Sequence, residues 1–89
     1  MKLSDDVISV GSLVVSTAGR DSGRVFIVVE LASEGYVKIA DGKLRKTDKP
    51  KLKKTKHLLL LKSEAASPAD FENNGAVRRT IDKALSEVS

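Results

Sequence analysis

Apolar positions along this chain recur with two different spacings, and the spacing changes near residue 63. Before that point the apolar residues come in short runs rich in β-branched side chains, the composition that suits a pleated, half-buried surface. Leu13–Ser16 and Val25–Val29 are the first two predicted strands, and they enclose a six-residue turn, AGRDSG, at 18–23. Gly19 and Gly23 can supply the positive-φ corners that a compact loop requires. Ala32-Ser33-Glu34-Gly35 is a turn signal, and Tyr36–Ala40 alternates as a half-buried strand does. Asp41-Gly42 suits a tight two-residue hairpin with Lys43–Lys46 as its return strand. The polar, basic segment 47–55 contains Pro50 and reads as an extended loop, after which His57–Leu61 forms a fifth strand.

Beyond Lys62 the period becomes helical. Ser67-Pro68-Ala69-Asp70 has the form of a helix start: a serine cap, proline at the first helical position and a carboxylate three residues after the cap. Asn73-Asn74-Gly75 is expected to interrupt it. Val77, Ile81, Leu85 and Val88 then recur on one face, which predicts an amphipathic helix over 76–88. Five short strands joined by tight turns predict a mainly β fold, a small SH3-like antiparallel barrel over 9–62, followed by the short C-terminal helix. Its interior is expected to hold Val14, Val25, Ile27, Val29, Val37, Ile39 and Leu60. Residues 1–8 form an N-terminal segment, and 63–89 a linker with the helix.

Length and composition limit what such a fold can do. Eighty-nine residues allow one small domain, burying about two-thirds of the surface its unfolded chain exposes. Cysteine and tryptophan are absent, so neither a disulfide framework nor a cysteine zinc site supports the fold. The opening MKLSDDVISV lacks the apolar stretch of a secretory signal, and Leu58–Leu61 is too short to span a bilayer. A cytoplasmic protein without a membrane partner is therefore expected.

Charge changes the picture more. The formal net charge is +4, but it is unevenly distributed. Residues 43–62 hold nine lysines and arginines against the single Asp48, a net +8, while the segments on either side are each net −2. Such a block is a candidate phosphate footprint, because each neutralised phosphate releases condensed counterions. The candidate contacts are Lys43, Arg45, Lys46, Lys49, Lys51, Lys53, Lys54 and Lys56, with His57 beside them and Arg20 and Arg24 at the glycine loop. Lysine acts on phosphate as a point charge, so backbone and shape recognition is expected over sequence readout. Arginine adds geometry, and within the loop formed by Gly19, Asp21, Ser22 and Gly23 the aspartate is expected to orient Arg20 or Arg24. The loop is no nucleotide-phosphate cradle, since Arg24-Val25 stands where Lys-Ser or Lys-Thr is required. The tail, net negative with one apolar face, is expected to cover hydrophobic surface without contributing to RNA affinity.

No other chemistry competes. His57 is the sole histidine and has no cysteine beside it for a transition-metal site. Asp5 and Asp6 diverge on any regular element and have no acid–base partner, so catalysis, metal and cofactor are all expected to be absent.

Gly11, Val14, Gly19, Gly23 and Val28 resemble the KOW motif, a glycine-centred β-loop-β element, and the stretch from Val10 to Leu61 is similar to the bacterial small KOW-domain RNA-binding proteins. These resemble in turn the single-KOW large-subunit ribosomal proteins of archaea and eukaryotes. The resemblance implies an SH3-like barrel and binding to structured RNA, ribosomal RNA first, with contacts from Ala18–Arg24 and the adjoining basic stretch. After Ser63 the chain departs from the long basic extensions of ribosomal proteins, which leaves room for an accessory factor. The alternative is a protein-interaction module docking on ribosomal proteins or RNA polymerase, with the C-terminal helix as its docking surface.

Overall fold

The computed structural model of this chain describes residues 8–88. Of the expected N-terminal segment only Ile8 falls among them, so Asp5 and Asp6 lie outside the described residues. The protein is mainly β. Strands β1 (Leu13–Ser16), β2 (Val25–Leu31), β3 (Tyr36–Ala40), β4 (Lys51–Lys54) and β5 (Leu58–Lys62) form one antiparallel sheet in the order β4-β3-β2-β1-β5, followed by one helix, α1 (Asn74–Val88).

Four of the five strands lie where apolar patterning placed them, and β4 does not. Lys43–Lys46, the expected return strand, is irregular because the Asp41 side chain captures its backbone: Asp41 Oδ1 accepts the N–H groups of Lys43 and Arg45, both at 2.9 Å. Those donors are thereby lost to any ladder. The strand that pairs with β3 is instead Lys51–Lys54, within the segment expected to be a loop. Lys51 and Lys53 stand opposite Ile39 and Val37, on the face that carries the core. Both are half-buried, their aliphatic stems taking the place that apolar residues would fill. His57, expected in the last strand, ends a 3₁₀ turn, Thr55–His57, and β5 begins at Leu58.

That short turn dictates the curvature of the sheet. β4 and β5 are its two edges, and strands spaced ~4.8 Å apart would put the edges about 19 Å from each other if the sheet were flat. Three linking residues reach only about 14 Å even when fully extended. The sheet must curl, and both ends of the turn are fastened: Thr55 N–H donates to the Gly35 carbonyl at 2.9 Å, and the His57 carbonyl accepts from Thr17 N–H at 2.9 Å. A register shift between Val28 and Glu30, where β2 pairs with β3, adds local twist.

The two faces bury separate clusters. Val14, Phe26, Val28, Val37, Ile39 and Leu58 pack together inside the curl, with Ile8 and Leu60 partly buried beside them. Leu13 and Ile27 point the other way, against Val77, Ile81 and Ala84 of α1, and the half-buried Val25 and Val29 join them. The expected interior therefore splits: Val14, Val37, Ile39 and Leu60 belong to the first cluster, while Val25, Ile27 and Val29 face the helix. Period-two alternation along β2 forces this, since Phe26 and Val28 take the inner face.

The helix starts earlier than its apolar period indicated. Asn73 Oδ1 accepts the Ala76 N–H at 2.8 Å, so the expected interruption at 73–75 is the start signal, with asparagine as cap. Ser67 caps only a 3₁₀ turn, Pro68–Phe71, its N–H donating to Asp70 Oδ2 at 2.9 Å. Val88, expected in the apolar stripe, is 43% exposed.

Gly11 is held at φ +92° with its carbonyl accepting the Ala66 N–H at 3.0 Å, and a Cβ there would run into the Ala66 carbonyl oxygen. Gly11→Ala is expected to cost about 2 kcal/mol from backbone strain and overpacking. Urea unfolding checks this against Gly35→Ala, where φ is also positive but the space is open, so the difference between the two isolates the Ala66 contact.

Candidate nucleic-acid interface

The β1–β2 loop is built as its glycines require. Gly19 (φ +77°) and Gly23 (φ +86°) take the left-handed corners, Ser22 N–H donates to the Gly19 carbonyl at 3.1 Å, and Gly23 N–H to the Ser16 carbonyl at 2.7 Å. Ser22 is exposed. Asp21 is turned inward and only 1% exposed. Its partner is neither Arg20 nor Arg24, as the sequence indicated, but Arg45, whose Nη2 lies 3.3 and 3.2 Å from the two carboxylate oxygens. The loop held by Asp41 folds back over the β1–β2 loop and delivers this arginine from 24 residues away. The Arg45 side chain keeps 29% exposure, but its Nη2 is committed to the carboxylate, so this arginine shapes the loop.

A second tie comes from β4. Lys53 Nζ donates to the Ala18 carbonyl at 3.0 Å, which fastens the near side of the loop as Arg45 fastens its floor. Two of the eight basic candidates from 43–56 thus shape the loop. Arg20 remains exposed at the tip with no ion-pair partner among the described residues. Arg24 is half exposed, its Nη2 3.8 Å from Asp41 Oδ2. At that distance, and with that exposure, the pair is worth little and leaves the guanidinium available.

The remaining candidates are spread more widely. Lys43, Lys46 and Lys49 are exposed on the loop between β3 and β4, and Lys56 is exposed in the 3₁₀ turn. Lys51 is half-buried. Lys54 lies on the other face of β4 from Lys53, its ammonium 5.9 Å from the Tyr36 ring centroid. His57 contributes its backbone, accepting from both Thr17 N–H and Thr17 Oγ1 (2.9 and 3.0 Å).

Sequence reasoning missed three residues of α1. Asn74 Oδ1 accepts the Thr47 N–H at 2.9 Å, and Arg78 Nη1 donates to the Gly42 carbonyl at 2.7 Å, so the basic loop is tied to the start of the helix. Gly42 (φ +81°) makes this approach possible, because a Cβ would meet the Asn74 carbonyl oxygen. Arg79, one residue on, faces the same side. A cleft of about 610 Å³ opens there, bounded by Arg24, Lys43, Arg78 and Arg79 together with Asp41 and Asp82. The signal was the Arg78-Arg79 pair flanking the buried Val77, masked by the net negative charge of the tail as a whole.

Among the described residues no group of three or more His, Asp or Glu side chains is placed to hold a metal ion, and no helix is long and apolar enough to cross a membrane. The chain matches no protein-family model, and no curated protein matches it significantly.

Proposed function

We propose that the curled sheet is an SH3-like barrel of the KOW type and that this cytoplasmic protein binds structured RNA, ribosomal RNA first, as a binding protein and not an enzyme. The observation that carries the reading is the pairing of the buried Asp21 with Arg45, which locks the glycine loop to the net +8 segment so that Arg20, Arg24 and the loop lysines belong to one fastened unit. A guanidinium on a rigid turn contributes geometry where the lysines contribute charge. Protein docking through the helix stripe has less to support it: Val77 and Ile81 are buried against Leu13 and Ile27 of the sheet, with Leu85 partly buried beside them, so that face is already covered.

Fluorescence anisotropy across a salt series tests the proposal. With about five phosphates neutralised, the logarithm of affinity should fall against log salt with a slope of roughly −3.5 to −4.5. Lys46→Ala combined with Lys49→Ala should flatten that slope by about 1–2 and weaken all RNAs alike. Arg20→Ala should instead penalise folded RNA more than random single strands. Affinity that ignores salt would remove the electrostatic mechanism, and partners that survive nuclease treatment of a pull-down would put the protein-docking module ahead.

A further inference from the structure

The cleft between the β3–β4 loop and α1 gathers four cations from three separate parts of the chain: Arg24 from the end of the β1–β2 loop, Lys43 from the β3–β4 loop, and Arg78 and Arg79 from the helix. Two carboxylates share it, and one is already engaged. Asp41 Oδ1 is taken up by the N–H groups of Lys43 and Arg45, and its Oδ2 is 3.8 Å from Arg24. Arg78 is occupied as well, since its Nη1 is hydrogen-bonded to the Gly42 carbonyl and holds the cleft wall in place. Lys43 and Arg79 are exposed and have no ion-pair partner among the described residues. Four cations against Asp41 and Asp82 leave the cleft net positive, and a concavity of one net sign on a fixed frame focuses that potential. Guanidinium groups there offer the forked donors that suit phosphate oxygens.

We infer that this cleft is a phosphodiester-binding site, and that α1 is therefore part of the RNA interface, not merely a cover for the sheet. The inference rests on the RNA-binding reading for its occupant and reverses the expectation that the tail adds nothing to affinity. Phosphates of an RNA backbone seat against Arg79, Lys43 and Arg24, while Arg78 and Asn74 keep the basic loop at the distance this requires. Because Thr47 and Gly42 are both tied to the first turns of α1, the helix contributes position as well as charge.

Two measurements on the full chain separate this site from the reading it extends. In the first, backbone amide NMR follows titration with inorganic pyrophosphate: Lys43, Gly75 and Arg79 should shift together, and Arg79→Gln should abolish the shifts. Amides that stay unmoved overturn the site whatever RNA does. In the second, Arg79→Gln should weaken binding of a folded RNA about three- to tenfold and reduce the salt slope by about 0.7–0.9, the change for one phosphate contact. Lys83→Gln is the control, since it removes the same charge from the same helix but lies outside the cleft. Equal losses from the two variants would reduce the effect to general charge and overturn the inference with RNA binding intact. Pyrophosphate shifts without any RNA binding would instead uphold the phosphate site and overturn the RNA reading.

Discussion

Arg45→Ala is expected to destabilise the protein by about 3–5 kcal/mol, because it strands the Asp21 carboxylate, 1% exposed, without its counter-charge. Domains of this kind hold about 5–15 kcal/mol in all, so the loss is a large part of the total. Urea unfolding should show the midpoint falling with little change in the slope m. A double-mutant cycle identifies the cause: Asp21→Ala with Arg45→Ala leaves no buried charge, so the pair should lose markedly less than the sum of the single variants. RNA affinity should fall by more than one missing charge accounts for, since the glycine loop loses its floor. An Arg45→Ala protein of unchanged stability, with affinity reduced only by a single charge, would show that the ion pair is incidental to the loop.

Phe26→Ala should be comparably damaging, for a different reason. Phe26 is fully buried at the centre of the inner cluster, against Val14, Val28, Val37, Ile39 and Leu58, and truncating it leaves a cavity that costs about 3–5 kcal/mol. In a domain of this size that lowers the melting temperature by at least about 12 °C. Leu31→Ala, on the same strand but 53% exposed, should change stability by no more than about 0.5 kcal/mol. Equal effects from the two would contradict the placement of the inner cluster.

Where a side chain's own chemistry decides the local structure, the sequence was legible. The β-branched run of β2 and the alternation of β3 mark strands because their apolar atoms must be buried, and the corners at Gly19 and Gly23 are conformations that few other residues tolerate. Capture of backbone groups by a side chain leaves no such mark. Asp41 removes two N–H groups from the expected return strand, and nothing in its immediate neighbours distinguishes that from the aspartate of a tight turn. Lys51-Leu52-Lys53-Lys54 looks like a loop because the code for burial is read from apolar types, whereas here lysine stems fill an apolar role. Arg45 is one basic residue among nine until the fold places Asp21 beneath it. The helix cations leave no mark in the net charge of the tail, because a segment's net charge does not show that Arg78 and Arg79 line one cleft with Lys43 while, of the tail's acids, only Asp82 joins them there.

β4 also bears on self-association. It is an edge strand, so one side of its backbone faces no neighbouring strand in the sheet, and such edges are templates on which a second chain can add. Three of its four residues are lysine. Two copies meeting edge to edge through β4 would set like charges opposite one another, which opposes pairing. The lysines of this edge thus discourage it from seeding aggregates of its own kind.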